Sequence, residues 1–239
     1  MIVHVYTLSW NEGRMMPFFL DYYSFADKII IYDNMSTDNT TELIKGKAEL
    51  HTFNTNNTFR EDIQTTIRNT CWLKSKGIAD WVILVDVDEH VYHPDLQHFL
   101  KTAKTEKYTV LKAEGYNMWS ESFPEYGKPL TEQIKTGWYW EPQSKMSIFN
   151  PNEITSMNFD VGLHNASPVG NVNILNSGYK LLHYKIISRE YYVNRNIECG
   201  KRLSNVNIKN GWSRYCLLSQ NQLGKMWNQG RKIAVTVHD

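Results

Sequence analysis

Short apolar runs alternate with amphipathic stretches along residues 1–105. Ile2 to Leu8 reads as a strand, Met15 to Phe25 as a helix and Lys28 to Tyr32 as a short apolar strand. The polar turn Asn34 to Asn39 leads into a predicted helix over Thr40 to Lys47 and a weak strand over Glu49 to Phe53. Arg60 to Lys76 reads as a helix, because Ile63, Ile67 and Cys71 recur at i, i+4 and i+8 on one face. Trp81 to Val85 is a continuous apolar strand, and Pro94-Asp95-Leu96 starts a further helix. Apolar strands separated by amphipathic helices predict an α/β fold, with a mostly parallel, Rossmann-like central sheet flanked by helices. Ligands of such sheets bind beyond the carboxyl ends of the strands. That rule points to Leu8–Glu12, Asp33–Asp38 and Asp86–His90.

The second half is patterned differently. Gly115 to Gly178 is rich in Trp, Tyr, Asn, Pro and Gly and reads as short strands and long loops. Leu181 to Lys185 is another strand and Arg189 to Arg202 a helix. With no internal repeat and no low-complexity linker, residues 1–239 read as one domain of two lobes, a nucleotide-sugar-binding 1–105 and a loop-rich, acceptor-binding 106–239.

Composition narrows the function. A formal charge of +1 over 239 residues leaves no broad basic footprint for nucleic acid. No apolar run is long enough to span a bilayer, and Met1 to Trp10 lacks the basic start and cleavage site of a signal peptide. Three widely spaced cysteines, Cys71, Cys199 and Cys216, read as buried thiols of a reducing compartment, hence a cytoplasmic protein. Glycosylation sequons at Asn34, Asn39, Asn56 and Asn165 then carry little weight.

The sharpest chemical feature is Asp86-Val87-Asp88-Glu89, directly after an apolar strand. Three acids within four residues repel one another unless a cation or a basic group sits among them, and Mg²⁺ or Mn²⁺ favours such oxygens together with substrate phosphates. Read structurally, the same run is an acidic surface turn. Asp33-Asn34-Met35-Ser36-Thr37-Asp38 is a good turn and helix cap, although Asp33 itself lies at the ligand edge. Thr7-Leu8-Ser9-Trp10-Asn11-Glu12 closes the first strand and reads equally as an ordinary strand-to-helix loop.

In this order the three segments resemble the family 2-like glycosyltransferases with a GT-A fold. The likeness rests on Asn11-Glu12, on Pro17 to Tyr23, on Asp33 to Asp38, and on Asp80-Trp81 through Glu89. Looser pieces follow at Gly115-Tyr116-Asn117-Met118, Lys145, Gly162-Leu163-His164 and Leu182-His183-Tyr184-Lys185. The resemblance implies transfer of a sugar from a nucleotide-diphosphate donor, a UDP-sugar, to a glycan or other hydroxyl acceptor, in the setting of polysaccharide biosynthesis. It implies Thr7, Asn11, Glu12, Asp33 and Asn34 at the nucleoside, Arg68 near base or diphosphate, and Asp86, Val87 and Lys145 on the donor. Asp88 would be the main ligand of Mn²⁺ or Mg²⁺, with Asp86 helping and His183 or His164 completing the site. An inverting route needs a carboxylate base, for which Asp160 and Glu121 are the candidates. Lys185 is a second source of positive charge, and Trp119, Trp138, Tyr139 and Trp140 are either acceptor-lining or core.

His90 and His93 imitate a zinc pair, but no further ligands lie at a usual spacing, so both read as solvated. Two other functions compete with transfer. A sugar nucleotidyltransferase would carry a Gly-rich phosphate loop, and Ser9 to Arg14 has a single Gly. A non-catalytic glycan- or nucleotide-binding module would have no need of the acid cluster.

Overall fold

The computed structural model describes all 239 residues. Strand β1 (Val3–Ser9) leads to α1 (Met16–Tyr22), β2 (Lys28–Asp33), α2 (Thr40–Ile44), β3 (Glu49–Thr52) and α3 (Glu61–Thr70). Then come β4 (Trp81–Leu84), β5 (Glu89–Tyr92), α4 (Leu96–Thr105), the long β6 (Val110–Ser120), α5 (Leu130–Gln133) and β7 (Thr136–Tyr139). The remainder is β8 (Ile148–Phe149), the pair β9 (Ile154–Ser156) and β10 (Val169–Gly170), β11 (Ile174–Ile187), α6 (Arg189–Arg202), α7 (Asn205–Asn210), α8 (Gln220–Ile233) and β12 (Val235–Thr236).

Strands β3, β2, β1 and β4 lie side by side and parallel. Beyond β4 the sheet turns mixed: β8 is antiparallel to both β4 and β6, while β11 runs parallel to β6 and antiparallel to β5. The alternation of side chains explains why the parallel strands read as unbroken apolar runs. Val3, Val5, Ile29, Ile31, Trp81 and Ile83 point to one face, against α1 and α4. Tyr6, Ile30, Val82 and Leu84 point to the other, against Cys71, Trp72 and Phe149. β1, β2 and β4 are thus buried on both faces, whereas the edge strand β3 is not. This is the α/β architecture that the sequence implies.

Several readings change. The helix expected over Arg60 to Lys76 ends at Thr70 and tightens into a 3₁₀ turn over Cys71–Ser75. His90 is not solvated: it is fully buried against Tyr22, Tyr23 and Tyr184, and burial pushes its ring down to about 3. His93 stacks on Phe99, and its Nδ1 accepts from the Asp95 N–H. Cys199 and Cys216 are not thiols. They form a disulfide, with Cα atoms 5.5 Å apart, that ties α6 to the turn after α7; only Cys71 is free. Trp119 and Trp138 are half-buried and pack against the cluster around Trp227 of α8, whereas Tyr139 and Trp140 are exposed. No helix is long and apolar enough to cross a membrane.

Candidate active site

The acid run forms the link between β4 and β5, at the carboxyl end of β4. Its three carboxylates meet different surroundings. Glu89 opens β5 and is fully buried. Its Oε1 lies 2.5 Å from Lys145 Nζ and accepts from Gln143 Nε2, and its Oε2 accepts the Asp86 N–H at 3.0 Å. Asp86 takes Arg68 Nη2 on one oxygen at 2.6 Å and Lys145 Nζ near the other at 3.5 Å. Burial alone would raise the Asp86 carboxyl, but Arg68, Lys145 and then His183 hold it below the usual carboxylate range. Burial works against Lys145 too, and Glu89 and Asp86 outweigh it, keeping the amine charged.

A close backbone approach makes this cluster possible. A Cβ on Gly115 of β6 would stand 2.1 Å from the Gln143 carbonyl carbon. Only glycine lets the 141–145 segment lie against β6 and deliver Gln143 and Lys145 to Glu89.

Asp88 is oriented the other way. Its side chain keeps 22% of its exposure, and its Oδ2 lies 3.5 Å from His183 Nε2. Strand β11 runs between β5 and β6, so its register sets His183 beside Glu89 on one side and Asn117 on the other. Asn117 Oδ1 lies 3.1 Å from His183 Nδ1. That oxygen can only accept, so Nδ1 carries the hydrogen and Nε2 offers its lone pair toward Asp88 when the ring is neutral. Burial opposes the charge on Asp88, and His183 more than offsets it, leaving the carboxyl lowered. Lys185, two residues on, contributes to the same field and lies 3.6 Å from the centre of the Tyr215 ring.

No group of three His, Cys, Asp or Glu side chains is gathered that would cage a metal by itself. Asp88 and His183 are two electron-pair donors facing each other, an arrangement satisfied by a proton on Nε2 or by a cation between them. Divalent cations of the Mg²⁺ type are commonly held by one or two carboxylates and completed by substrate phosphates, and the pair fits a site of that open kind. Asp86, expected to help hold the metal, has its oxygens on Arg68 and Lys145 instead. His164 has its Nδ1 2.7 Å from the Pro142 carbonyl and its ring edge-on to Trp140, within the field of Lys145, Glu89 and Asp86.

The residues expected on the nucleoside lace two loops together. Asp33 accepts from Ser9 Oγ at 2.9 Å and from the Ser36 N–H at 2.7 Å. Asn34 pairs with Thr55, and Thr7 is fully buried within β1. Asn11 Oδ1 accepts the Thr37 N–H at 2.7 Å. The Glu12 N–H donates to Thr40 Oγ1, and its carboxylate pairs with Arg195 of α6. Val87 is packed in the main core. Arg68 and Lys145 are buried behind Asp86. Neither base candidate touches Asp88. Asp160 spends both oxygens on Asn165, and Glu121, 60% exposed, has Arg231 at 3.8 Å.

The sequence reading missed the cations of α6. Besides Arg195, Arg202 lies 3.3 Å over the Trp10 ring. Burial, and for Arg202 also Arg195, lowers both guanidinium groups to about 10. Their helix is legible in sequence, but nothing local shows that it returns to the end of β1.

A two-faced α/β sheet with a carboxylate–histidine pair at its carboxyl edge is the frame that the GT-A resemblance implies. A family model described as glycosyltransferase family 92 matches residues 14–226, and the chain belongs to that family. The motifs had pointed to family 2-like members. Among solved structures, S. aureus TarS is similar over 93% of this chain and 41% of its own, at 15% identity and a TM-score of 0.49. TarS 1-349 in complex with UDP-GlcNAc is similar over 84% of this chain and 66% of its own, at 13% identity and a TM-score of 0.45. Glucosyl-3-phosphoglycerate synthase from Mycobacterium tuberculosis, in complex with Mn²⁺, UDP and glucosyl-3-phosphoglycerate, is similar over 50% of this chain and 44% of its own, at 17% identity and a TM-score of 0.34. The chain thus spans less than two thirds of the length of each. No curated protein sequence matches it.

Proposed function

We propose that this chain transfers a sugar from a uridine diphosphate sugar to a hydroxyl acceptor, with Mn²⁺ or Mg²⁺ bound at Asp88 and His183. The observation that carries the reading is the Asp88–His183 pair, 3.5 Å apart, with Asp88 partly exposed, beside a carboxyl cluster that is otherwise neutralised. A divalent cation there offsets the charge that develops on the departing diphosphate. Asp88 and His183 hold the site, and Asn117 keeps the His183 tautomer fixed. Arg68 and Lys145 hold Asp86 as a carboxylate, and Lys185 adds a further positive charge near Asp88. For an inverting route Glu121 is the better base of the two, since Asp160 is spent on its own loop. Exposed Tyr139 and Trp140 offer flat faces to an acceptor sugar.

Family membership and the open pair both favour transfer over nucleotide activation or passive glycan binding. The cytoplasmic expectation loses its main ground, because two of the three cysteines are paired and disulfides persist chiefly in oxidising compartments.

Donor hydrolysis across a panel of nucleotide sugars, with and without Mn²⁺, tests the reading. UDP should raise the melting temperature only when Mn²⁺ or Mg²⁺ is supplied, by the equivalent of about 2.7 kcal/mol at a hundredfold excess over Kd. Equal shifts in EDTA and in Mn²⁺ would count against a metal-bridged diphosphate.

A further inference from the structure

Beside the Asp88–His183 pair stands a cation with no carboxylate of its own. His183 faces Asp88, whereas Lys185, two residues on, makes no ion pair. Its strand is pinned one residue earlier, where the Tyr184 N–H donates to the Asp88 carbonyl at 2.7 Å. The register of β11 on β6 then slips between His183 and Ile186. A bulge of this kind re-aims a side chain and recurs next to active sites. Lys185 Nζ lies on the face of Tyr215, 3.6 Å from the ring centre. Burial works against the charge on Lys185, and Tyr215 and Asp88 outweigh it, so the amine stays protonated.

Tyr215 is 40% exposed, yet its backbone is anchored on both sides. Two residues before it, Ser213 Oγ donates to Glu61 Oε1 at 2.6 Å. Directly after it, Cys216 is buried and bonded to Cys199 of α6. The Cys216 N–H donates to the Ser213 carbonyl at 3.0 Å and closes the turn. A Cβ on Gly200 would stand 2.3 Å from the Cys216 carbonyl oxygen, so α6 comes this close only with glycine there. An exposed ring on a fixed backbone buries little apolar surface. It is well suited to hold an ammonium, because an aromatic face attracts a cation without neutralising it.

We propose that Tyr215 is a positioning residue: it holds the Lys185 ammonium, unpaired, beside Asp88 and His183 for the terminal phosphate of the donor's diphosphate. This rests on the transferase reading above, which uses the charge of Lys185 but names nothing that holds it. A lysine stem has many rotamers, and ordering it on binding weakens affinity. With the ring in place the ammonium is already ordered when the nucleotide arrives. A carboxylate in the same position would order the stem equally, but it would cancel the charge that the diphosphate needs.

Calorimetric titration of UDP and UMP into the oxidised full chain, with Mn²⁺ present, tests the assignment. Lys185→Met should weaken UDP about tenfold and act far less on UMP, which lacks the second phosphate. Tyr215→Leu should weaken UDP about three- to tenfold, again with little effect on UMP. Tyr215→Phe restores the ring face and should recover most of that loss. In the Lys185→Met background Tyr215→Leu should add nothing, since the ring then has no ammonium to hold. The proposal is overturned if the Tyr215→Leu loss persists at full size in that background, if it falls equally on UDP and UMP, or if phenylalanine does no better than leucine. Each of those results would mark a merely structural role. A folded wild type that binds neither nucleotide removes the transferase reading itself, an outcome distinct from a loss confined to the variants.

Discussion

Asp88 and Glu89 are chain neighbours in opposite situations. Glu89 is sealed inside, with Lys145 and Gln143 on one oxygen and the Asp86 backbone on the other. Asp88 is only partly covered, and the ring nitrogen Nε2 of His183 faces it at 3.5 Å. The sealed cluster is an internal scaffold in which each charge is matched, so removing one member strands the others. The open pair is unfinished, and it is finished by what binds. The acid run therefore divides its labour by partner: Asp86 and Glu89 spend their oxygens on Arg68, Lys145 and Gln143, and Asp88 keeps its oxygens for chemistry.

This contrast is open to attack in four places, in falling order of expected effect. Lys145→Met strands Glu89 in the interior. It should cost about 3–5 kcal/mol of stability in urea unfolding, and the double variant Lys145→Met with Glu89→Leu should recover much of that; an unaffected single variant would erase the distinction. Asp88→Ala should leave unfolding within about 0.5 kcal/mol of wild type yet lower transfer on the order of 10²–10³-fold, and near-normal turnover with Mn²⁺ would show that the open pair is not the chemical centre. His183→Ala should weaken Mn²⁺ about tenfold in a direct metal titration, with His164→Ala as the control that changes nothing. The smallest effect is in acid. The Asp86 carboxyl is lowered by folding, so it stabilises the protein above its unfolded pKa, about 3.9, and that contribution is lost as the pH falls through the folded value. Asp86→Asn should flatten the loss of stability below about pH 4; a profile parallel to wild type would place the acid sensitivity elsewhere.

Much of the N-terminal half was legible because its signals are local. Apolar runs and turn chemistry located β1, β2 and β4, and the acid run was correctly put at a strand end. Strand β6 was missed. Lys112, Glu114, Gly115 and Asn117 interrupt its apolar pattern, and its partner β11 lies far along the chain. Helix α8 carried a readable start, the Ser219 and Gln222 capping box, that went unused. Which of Asp86, Asp88 and Glu89 faces out was not readable, since that depends on Lys145 and Arg68 arriving from other elements. The pairing of Cys199 with Cys216, and the return of Arg202 to Trp10, likewise exist only once the chain has folded back.

The disulfide has a consequence for how the molecule assembles. It closes a loop over a sequence separation of 17, and that loop holds Asn207 and Ser213, which hydrogen-bond Glu61. In a chain-entropy view, a ring of roughly 15 residues spares the folded state about 3 kcal/mol of ordering cost. The cover over α3 then returns as a pre-shortened ring rather than as a free strand that must find its place. Made under reducing conditions, the same sequence would have to order that cover unaided each time it closed.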